Sequence, residues 1–339
     1  MPHELGDLPL SYYILYTSIE THQSQAHCDS VGTNDAVEEA TPPPASFWEQ
    51  DVWTTEDKKR VQQQLNMSVD RCRIVDSSLI VDDCDAWNQF YVRHQNNFFK
   101  DRHYLADAFP DLFNGSILLP SNNPTFIEFG CGVGNTLLPL LDQQKDEDGG
   151  PIHWGSVIGI DLSPVAISIL RKDPRFQSSS RCQVDAFTAD LSAPPPPSLP
   201  SCSVACLLFC LSAIQPGEPQ QHAAATVANT IVPGGVLLFR DFGRWDQSQL
   251  SLGQQRNKQV GDTMDFYQKH DGTKVHYFTT EAVCRLWQEN NMLPVTECKY
   301  IQRSYCNRRT GERRRRVWVQ GMFRKGPERN REPRDMTEH

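Results

Sequence analysis

The chain has 339 residues, a net charge of −9 and a hydrophobic content of 38%, room for one large α/β domain with appendages but little for a chain that folds throughout. No apolar run reaches the roughly 20 residues of a transmembrane helix, and a start containing Glu4 and Asp7 but no Arg is neither a signal nor a transit peptide. Eleven cysteines with no C-x-x-C pair and no Cys/His pairs at zinc spacing exclude a zinc module, so the expectation is a cytoplasmic protein with reduced thiols, no metal and no membrane.

Charge is unevenly spread. Residues 1–57 carry eleven acids and no Lys or Arg, whereas residues 299–335 carry thirteen Lys and Arg against four acids. A basic segment on an acidic chain points to a polyanionic partner. Residues 1–45, closing on Thr41-Pro42-Pro43-Pro44, read as a disordered acidic leader, and 327–339 as a disordered tail. Between 46 and 115 the pattern is helical. Thr54 or Thr55 caps a helix to Leu65 with Glu56 and Asp57 in its first turn. Trp87, Phe90, Tyr91 and His94 recur at helical spacing. Around them, six aromatics alternate with Arg93, Lys100, Arg102 and His103. Phe90 suits the core; the rest suits stacking on an adenine or an unstacked base beside phosphates.

The organising stretch is Phe126–Asn135. Thr125, Phe126, Ile127 and Phe129 form a short apolar strand, glycines follow at 130, 132 and 134, and a helix begins near Thr136. Strand, glycine turn and helix present backbone N–H groups to a nucleotide-like ligand, and a Cβ would block both the turn and the ligand's approach. The dinucleotide fingerprint needs a glycine at 135, where Asn135 stands; the pattern is E-x-G-x-G-x-G, as in S-adenosylmethionine-dependent methyltransferases. A second strand, Ser156–Asp161, ends in a carboxylate placed for ribose hydroxyls, and Ser163-Pro164 opens a helix. The third strand is Cys182–Asp185 or Ala186–Ala189, before Asp190 and Leu191, which suit an adenine amino group and ring. The fourth is Val204–Leu211, with Cys202, Cys206 and Cys210 on one face; after a helix over 219–231 comes the fifth, Val236–Asp241. Ligands of open α/β sheets sit at the carboxyl ends of strands, so Arg240, Asp241 and Phe242 are expected to face the crevice. A polar insertion over 244–278 reads as a lid. A helix capped at Thr279-Thr280-Glu281 follows, then strands near 295–306 and 316–324 around a basic turn, Asn307–Arg316.

Taken together, W-N-Q-F-Y at 87–91, N-F-F-K-D-R-H at 97–103, E-F-G-C-G-V-G-N at 128–135, D-L-S at 161–163, L-L-F-C-L-S-A-I at 207–214, L-L-F-R-D-F-G at 237–243, D-G-T at 271–273 and R-V-W-V-Q at 316–320 resemble the tRNA 3-methylcytidine methyltransferases. They occur in that family's order over about residues 85–325. V-W-T-x-E at 52–56 is similar to the longer branch, which acts on threonine and arginine tRNAs, and is missing from the shorter serine-tRNA branch. The resemblance implies a Rossmann-like class I methyltransferase domain over 116–326. It would hold a seven-stranded, mostly parallel sheet with helices on both faces, the insertion 244–278 and a basic hairpin 299–325; the helical extension 46–115 would bind tRNA and cover the cofactor.

Further, it implies S-adenosylmethionine held by Trp87, Tyr91, Gly130, Gly132, Asp161, Asp190, Leu191 and Leu208. Catalysis would fall to Asp241, Arg102 and Phe242. Phe98, Phe99 and Arg102 would meet the cytosine, with Lys269, Arg313, Arg314, Arg315 and Arg316 also on the substrate side. Three positions depart from the family pattern: Ser203 replaces an acid, Lys269 an Arg and Phe242 a Tyr, which keeps charge and ring but loses a fork and a hydroxyl. The implied reaction methylates N3 of an anticodon-loop cytidine, expected at position 32. Its partners would be tRNA (threonine, then arginine or serine isoacceptors) and an aminoacyl-tRNA synthetase or tRNA-binding adaptor.

The chemistry agrees with the residue types. N3 of neutral cytosine has a free lone pair, so no strong base is required, and catalysis rests on positioning and on stabilising charge arriving at the ring. N3 lies on the pairing edge, so the base must leave its stack. Two other readings use the same fold: a protein or small-molecule methyltransferase, and a non-catalytic tRNA-binding subunit.

Overall fold

A nine-stranded sheet and a separate two-stranded hairpin form the frame. The computed structural model describes residues 46–50, 53–69, 74–96, 98–143, 152–178, 181–194, 199–263, 265–307 and 313–327; the acidic leader, Arg308, Arg309 and nearly all of the tail lie outside the described residues. The chain enters through strand β1 (Ser46–Gln50) and helix α1 (Thr55–Val69). Thr54 caps α1: its hydroxyl accepts the Asp57 N–H at 3.1 Å, and its own N–H and hydroxyl donate to the Asp57 carboxylate at 3.1 and 2.8 Å. Helix α2 (Asp83–His94) begins where the Asp82 carboxylate accepts the N–H groups of Cys84 and Asp85. Two single turns follow, α3 (Leu105–Ala108) and α4 (Pro110–Phe113).

The central run is β2 (Thr125–Phe129), α5 (Leu137–Gln143), β3 (Ser156–Asp161), α6 (Pro164–Lys172), α7 (Pro174–Gln177), β4 (Gln183–Thr188), β5 (Cys202–Leu208), α8 (Glu218–Thr230) and β6 (Ile231–Phe242). These strands pair in the order β4-β3-β2-β5-β6, all parallel. The chain reverses direction of assembly at β2, the point where α/β sheets open a crevice. Then come α9 (Gln247–Gly253), the antiparallel hairpin β7 (Phe266–Gln268) and β8 (Lys274–His276), α10 (Thr280–Glu289), β9 (Met292–Pro294), β10 (Lys299–Asn307) and β11 (Arg313–Lys325). β11 lies antiparallel to β6, and β10 antiparallel to β11.

The seven expected strands are present, and two more join them. β9 pairs with the far end of β11, Phe323 opposite Pro294. β1 pairs along β10, Trp48 opposite Tyr305, and covers an edge that would otherwise present unpaired backbone. The third strand spans both stretches read from the sequence, and the fourth stops at Leu208. The cysteine face does not hold: a register shift between Cys202 and Val204 sends Cys202 to the opposite face from Cys206. The insertion is structured. It carries α9 and the β7–β8 hairpin, and Gln259 within it accepts the Val75 N–H at 2.7 Å, tying it to the chain before α2.

Helices cover both sheet faces over two apolar layers, one around Phe129, Phe239 and Trp287, the other around Phe126, Leu141 and Val204. Ser163 caps α6 as expected, accepting the Ala166 N–H, with Pro164 in the first turn. Among the described residues no group of three or more His, Cys, Asp or Glu is placed to hold a metal, and no helix is long and apolar enough to cross a membrane.

Candidate active site

The glycine turn leaves β2 with Gly130 at φ 70° and Gly132 at φ 54°, values an L side chain rarely adopts. A Cβ at Gly132 would meet the Tyr91 hydroxyl at 2.5 Å, and one at Gly130 would strike the Cys210 side chain. The turn is therefore bare because the protein itself closes on it. Its Gly132 N–H donates to Asp161 at 2.8 Å, and the Ser163 N–H donates to the other Asp161 oxygen at 2.8 Å. Burial pushes the Asp161 carboxyl up to about 6 against the pull of these two N–H groups. Asn135, where a dinucleotide site has glycine, has a different task. Its side-chain amide donates to the Phe99 carbonyl at 3.0 Å and its own carbonyl accepts the Arg102 N–H at 2.6 Å, fastening the aromatic-basic segment to the turn.

Helix α2 roofs this corner. The Ser163 hydroxyl donates to Asn88 at 2.6 Å, and Trp87 stacks on Tyr91 with centroids 5.9 Å apart. The β7–β8 hairpin holds the roof from outside: Lys274 Nζ donates to Asp83 at 2.7 Å and to the Val81 carbonyl at 3.2 Å, while Lys269 Nζ lies 5.7 Å from the Trp87 ring.

Beneath the roof a cavity of about 370 Å³ crosses the carboxyl ends of the parallel strands β4, β3, β2, β5 and β6 and the amino-terminal half of the antiparallel β11. Trp87, Tyr91, Gly130, Gly132, Asp161, Asp190, Leu191 and Leu208 line it, together with Phe99, Arg102, Phe242, Lys269 and Arg316. Asp190 is exposed, its carboxylate accepting the Ser192 N–H at 2.8 Å and hydroxyl at 2.6 Å. At the β6–β11 end, Phe209, Phe242 and Trp318 form an aromatic wall. Arg102 stands over Phe209 at 5.3 Å and Arg316 over Phe242 at 5.5 Å. Behind Arg102, Glu128 is 1% exposed with one oxygen 3.8 Å from the guanidinium. Burial outweighs that cation and raises the Glu128 carboxyl to about 7.

Several expected residues sit elsewhere. Asp241 is fully buried and does not line the cavity; its carboxylate accepts the Ser212 N–H at 2.9 Å and the Phe242 N–H at 2.8 Å, beneath two residues that do. Burial raises it to about 6. Strand alternation is the cause, since Asp241 pairs with Val319 and Phe242 with Trp318 on the opposite face. Arg240, expected to face the crevice, is buried against Gln320 and stacked over Tyr104 at 4.7 Å. Phe98 packs on Phe90, His94 and Phe99 behind the cavity wall.

The four arginines lie on β11, not on a turn. Arg316 is buried in an ion pair with Asp246 at 2.8 Å, and Arg315 reaches Asp57 at 3.3 Å and lies 5.3 Å from the Trp53 ring. Arg314 is half-buried, and the Arg313 side chain lies outside the described residues. The sequence reading missed Phe209, Ser212, Lys274 and Trp318 as cavity residues. Phe209 and Ser212 stood inside the L-L-F-C-L-S-A-I run and Trp318 inside R-V-W-V-Q, whereas Lys274 lay outside every such run.

A methyltransferase-domain family model matches residues 93–296. The tRNA N(3)-methylcytidine methyltransferase Mettl2 of Drosophila melanogaster is 36% identical over 244 residues, covering 70% of this chain and 70% of its own. The tRNA N(3)-cytidine methyltransferase METTL2 of Danio rerio is 34% identical over 276 residues, covering 71% and 73%. METTL6 of Homo sapiens, named for the same activity, is 32% identical over 244 residues, covering 71% and 80%.

Proposed function

Since the chain belongs to the tRNA N3-methylcytidine methyltransferases, we propose that it methylates N3 of an anticodon-loop cytidine, position 32, in threonine tRNAs first and arginine or serine isoacceptors second. The observation that carries this is the single cavity joining a nucleoside-shaped corner, at Gly130, Gly132 and Asp161, to an aromatic and guanidinium-lined end, at Phe242, Trp318, Arg102 and Arg316.

The corner fits S-adenosylmethionine. Gly130 and Gly132 line it, Asp161 presents acceptor oxygens for a ribose, Asp190 is exposed for an adenine amino group, and Leu191 and Leu208 offer apolar faces. When bound there, the cofactor supplies an electrophilic methyl on a sulfonium. The chain's own residues do the rest by placement. Trp87 and Tyr91 close the roof and exclude water, with Lys269 set against Trp87. Arg102 and Arg316 offer donors to a pyrimidine carbonyl oxygen, Phe99 and Phe242 offer ring faces, and no group is needed to take a proton from N3. Asp241 acts through the backbone of Ser212 and Phe242 as a positioning residue.

Arg314, with the exposed Lys100 at the cavity mouth, serves the tRNA backbone; Arg313 shares that strand. Residues 46–115 serve as the extension that meets tRNA, 116–326 as the methyltransferase domain, and the acidic leader as the place for a synthetase or adaptor, in the cytoplasm.

The test incubates the protein with labelled cofactor and total tRNA and identifies the product nucleoside and its position by mass spectrometry. 3-Methylcytidine at position 32 of threonine tRNA is expected. Label in protein or small molecules, or at another nucleoside, overturns the reading.

A further inference from the structure

Phe209 follows β5 at φ 56°, a left-handed backbone that a bulky L residue adopts only when its surroundings impose it. Its N–H donates to the Arg240 carbonyl at 2.8 Å, and the turn Leu211–Ala213 follows directly. The effect is on direction. In an extended strand, successive side chains point to opposite faces. Leu207 packs in one apolar layer and Leu208 in the other, so an extended residue 209 would return to the side of Leu207. The left-handed step instead turns Phe209 to the side of Leu208, where it packs against the same apolar layer, and both residues line the cavity. Among the described residues the other large aromatic in this conformation, Trp245 at φ 72°, packs with Trp53 and Val61 to seat α1 and does not line the cavity.

β5 is the central strand under the cavity, between β2 with its glycine turn and β6 with Phe242. The half-buried Phe209 ring thus stands where the two halves of the cavity meet. It lies 5.2 Å from Phe242 and 6.0 Å from Trp318, with the Arg102 guanidinium at 5.3 Å. We propose that Phe209 is the ring on which the unstacked target pyrimidine rests at the junction, turned there by its left-handed backbone. The proposal rests on the cytidine methylation proposed above. A pyrimidine presents a π-face to such a ring whatever its neighbours in sequence, and the stack fixes the plane in which N3 meets the methyl group.

Three variants test it: Phe209→Leu and Phe209→Met, which stay apolar and of matched size to each other without an aromatic face, and Phe209→Tyr, which keeps the face. Cofactor affinity is read by calorimetry, and kcat and KM for total tRNA by 3-methylcytidine formed. Leu and Met should bind the cofactor within about threefold of the parent, keep KM within about threefold, and lose kcat by about tenfold or more, the scale of one lost base stack. Phe209→Tyr should recover most of the rate. If Leu folds poorly, Met still decides. Parental kcat in the Leu or Met variant overturns the proposal, as does a cofactor affinity that falls in parallel with the rate. A parent that forms no 3-methylcytidine overturns the assigned reaction and this proposal together; an active parent with unaffected variants overturns this proposal alone.

Discussion

Asp161 shows how one carboxylate serves both the turn and the cavity, and the two duties respond oppositely to pH. Its folded-state pKa is raised by burial from 3.8 to about 6. As pH falls from about 6 towards 3.8, the folded chain takes up a proton that the unfolded chain does not, so the unliganded fold gains stability there relative to neutral pH. Glu128, raised from 4.5 to about 7, adds to the same trend. Cofactor binding should move the other way, because a protonated Asp161 is a poorer acceptor for ribose hydroxyls. Calorimetry between pH 8 and 5 should therefore show affinity falling below pH 6, by up to about tenfold per unit for one proton. In Asp161→Asn the affinity should be low and flat; an unchanged slope in that variant would shift the dependence to another group. Asp241→Asn places an amide against two backbone donors, at a cost of about 1–3 kcal/mol. Its Tm should fall and turnover with it, while cofactor affinity holds. A normal Tm with lost turnover would return Asp241 to direct contact with the base.

The roof over the cavity is an assembly of elements distant in sequence, α2 and the β7–β8 hairpin, closed by Lys274 and Asp83. Lys274→Met and Asp83→Asn should each weaken cofactor binding several-fold, and the double variant should be little worse than either, since both break one contact. Additive losses would mean that the two residues act separately. The roof also marks what a sequence can disclose. The glycine turn, Asp161 and the capped α6 were readable because each is a local pattern: an apolar run, a break, a strand-end acid, Ser before Pro. The insertion 244–278 was readable from its length, but not its hairpin, three residues a side. β1 was missed because its pairing partner lies in β10, at the other end of the chain. Asp241 was misplaced because strand parity is visible only once the covered face is known, and Phe209 because no residue type announces a left-handed aromatic.

At the scale of the whole molecule the question is how a chain of net charge −9 holds a polyanion. The basic C-terminal segment answers less of it than its composition promised, because β11 spends two arginines internally: Arg316 on Asp246, and Arg315 on Asp57 and Trp53. Arg315 thus fastens the start of α1 to the sheet. Its removal should speed proteolysis around α1 while leaving the salt dependence of tRNA binding as it was. Two exposed cations stand on elements that line the cavity, Lys100 on its rim and Arg93 in the last turn of α2, the helix of Trp87 and Tyr91. A cation that meets a phosphate releases counterions, contributing roughly 0.7–0.9 to the slope of log affinity against log salt. Lys100→Ala with Arg93→Ala should flatten that slope by about 1.5 and weaken binding uniformly across tRNAs, with cofactor affinity unmoved. If Arg315→Ala flattens the slope and the Lys100/Arg93 pair does not, the tRNA backbone follows the β10–β11 face, and α2 covers the cofactor without touching RNA.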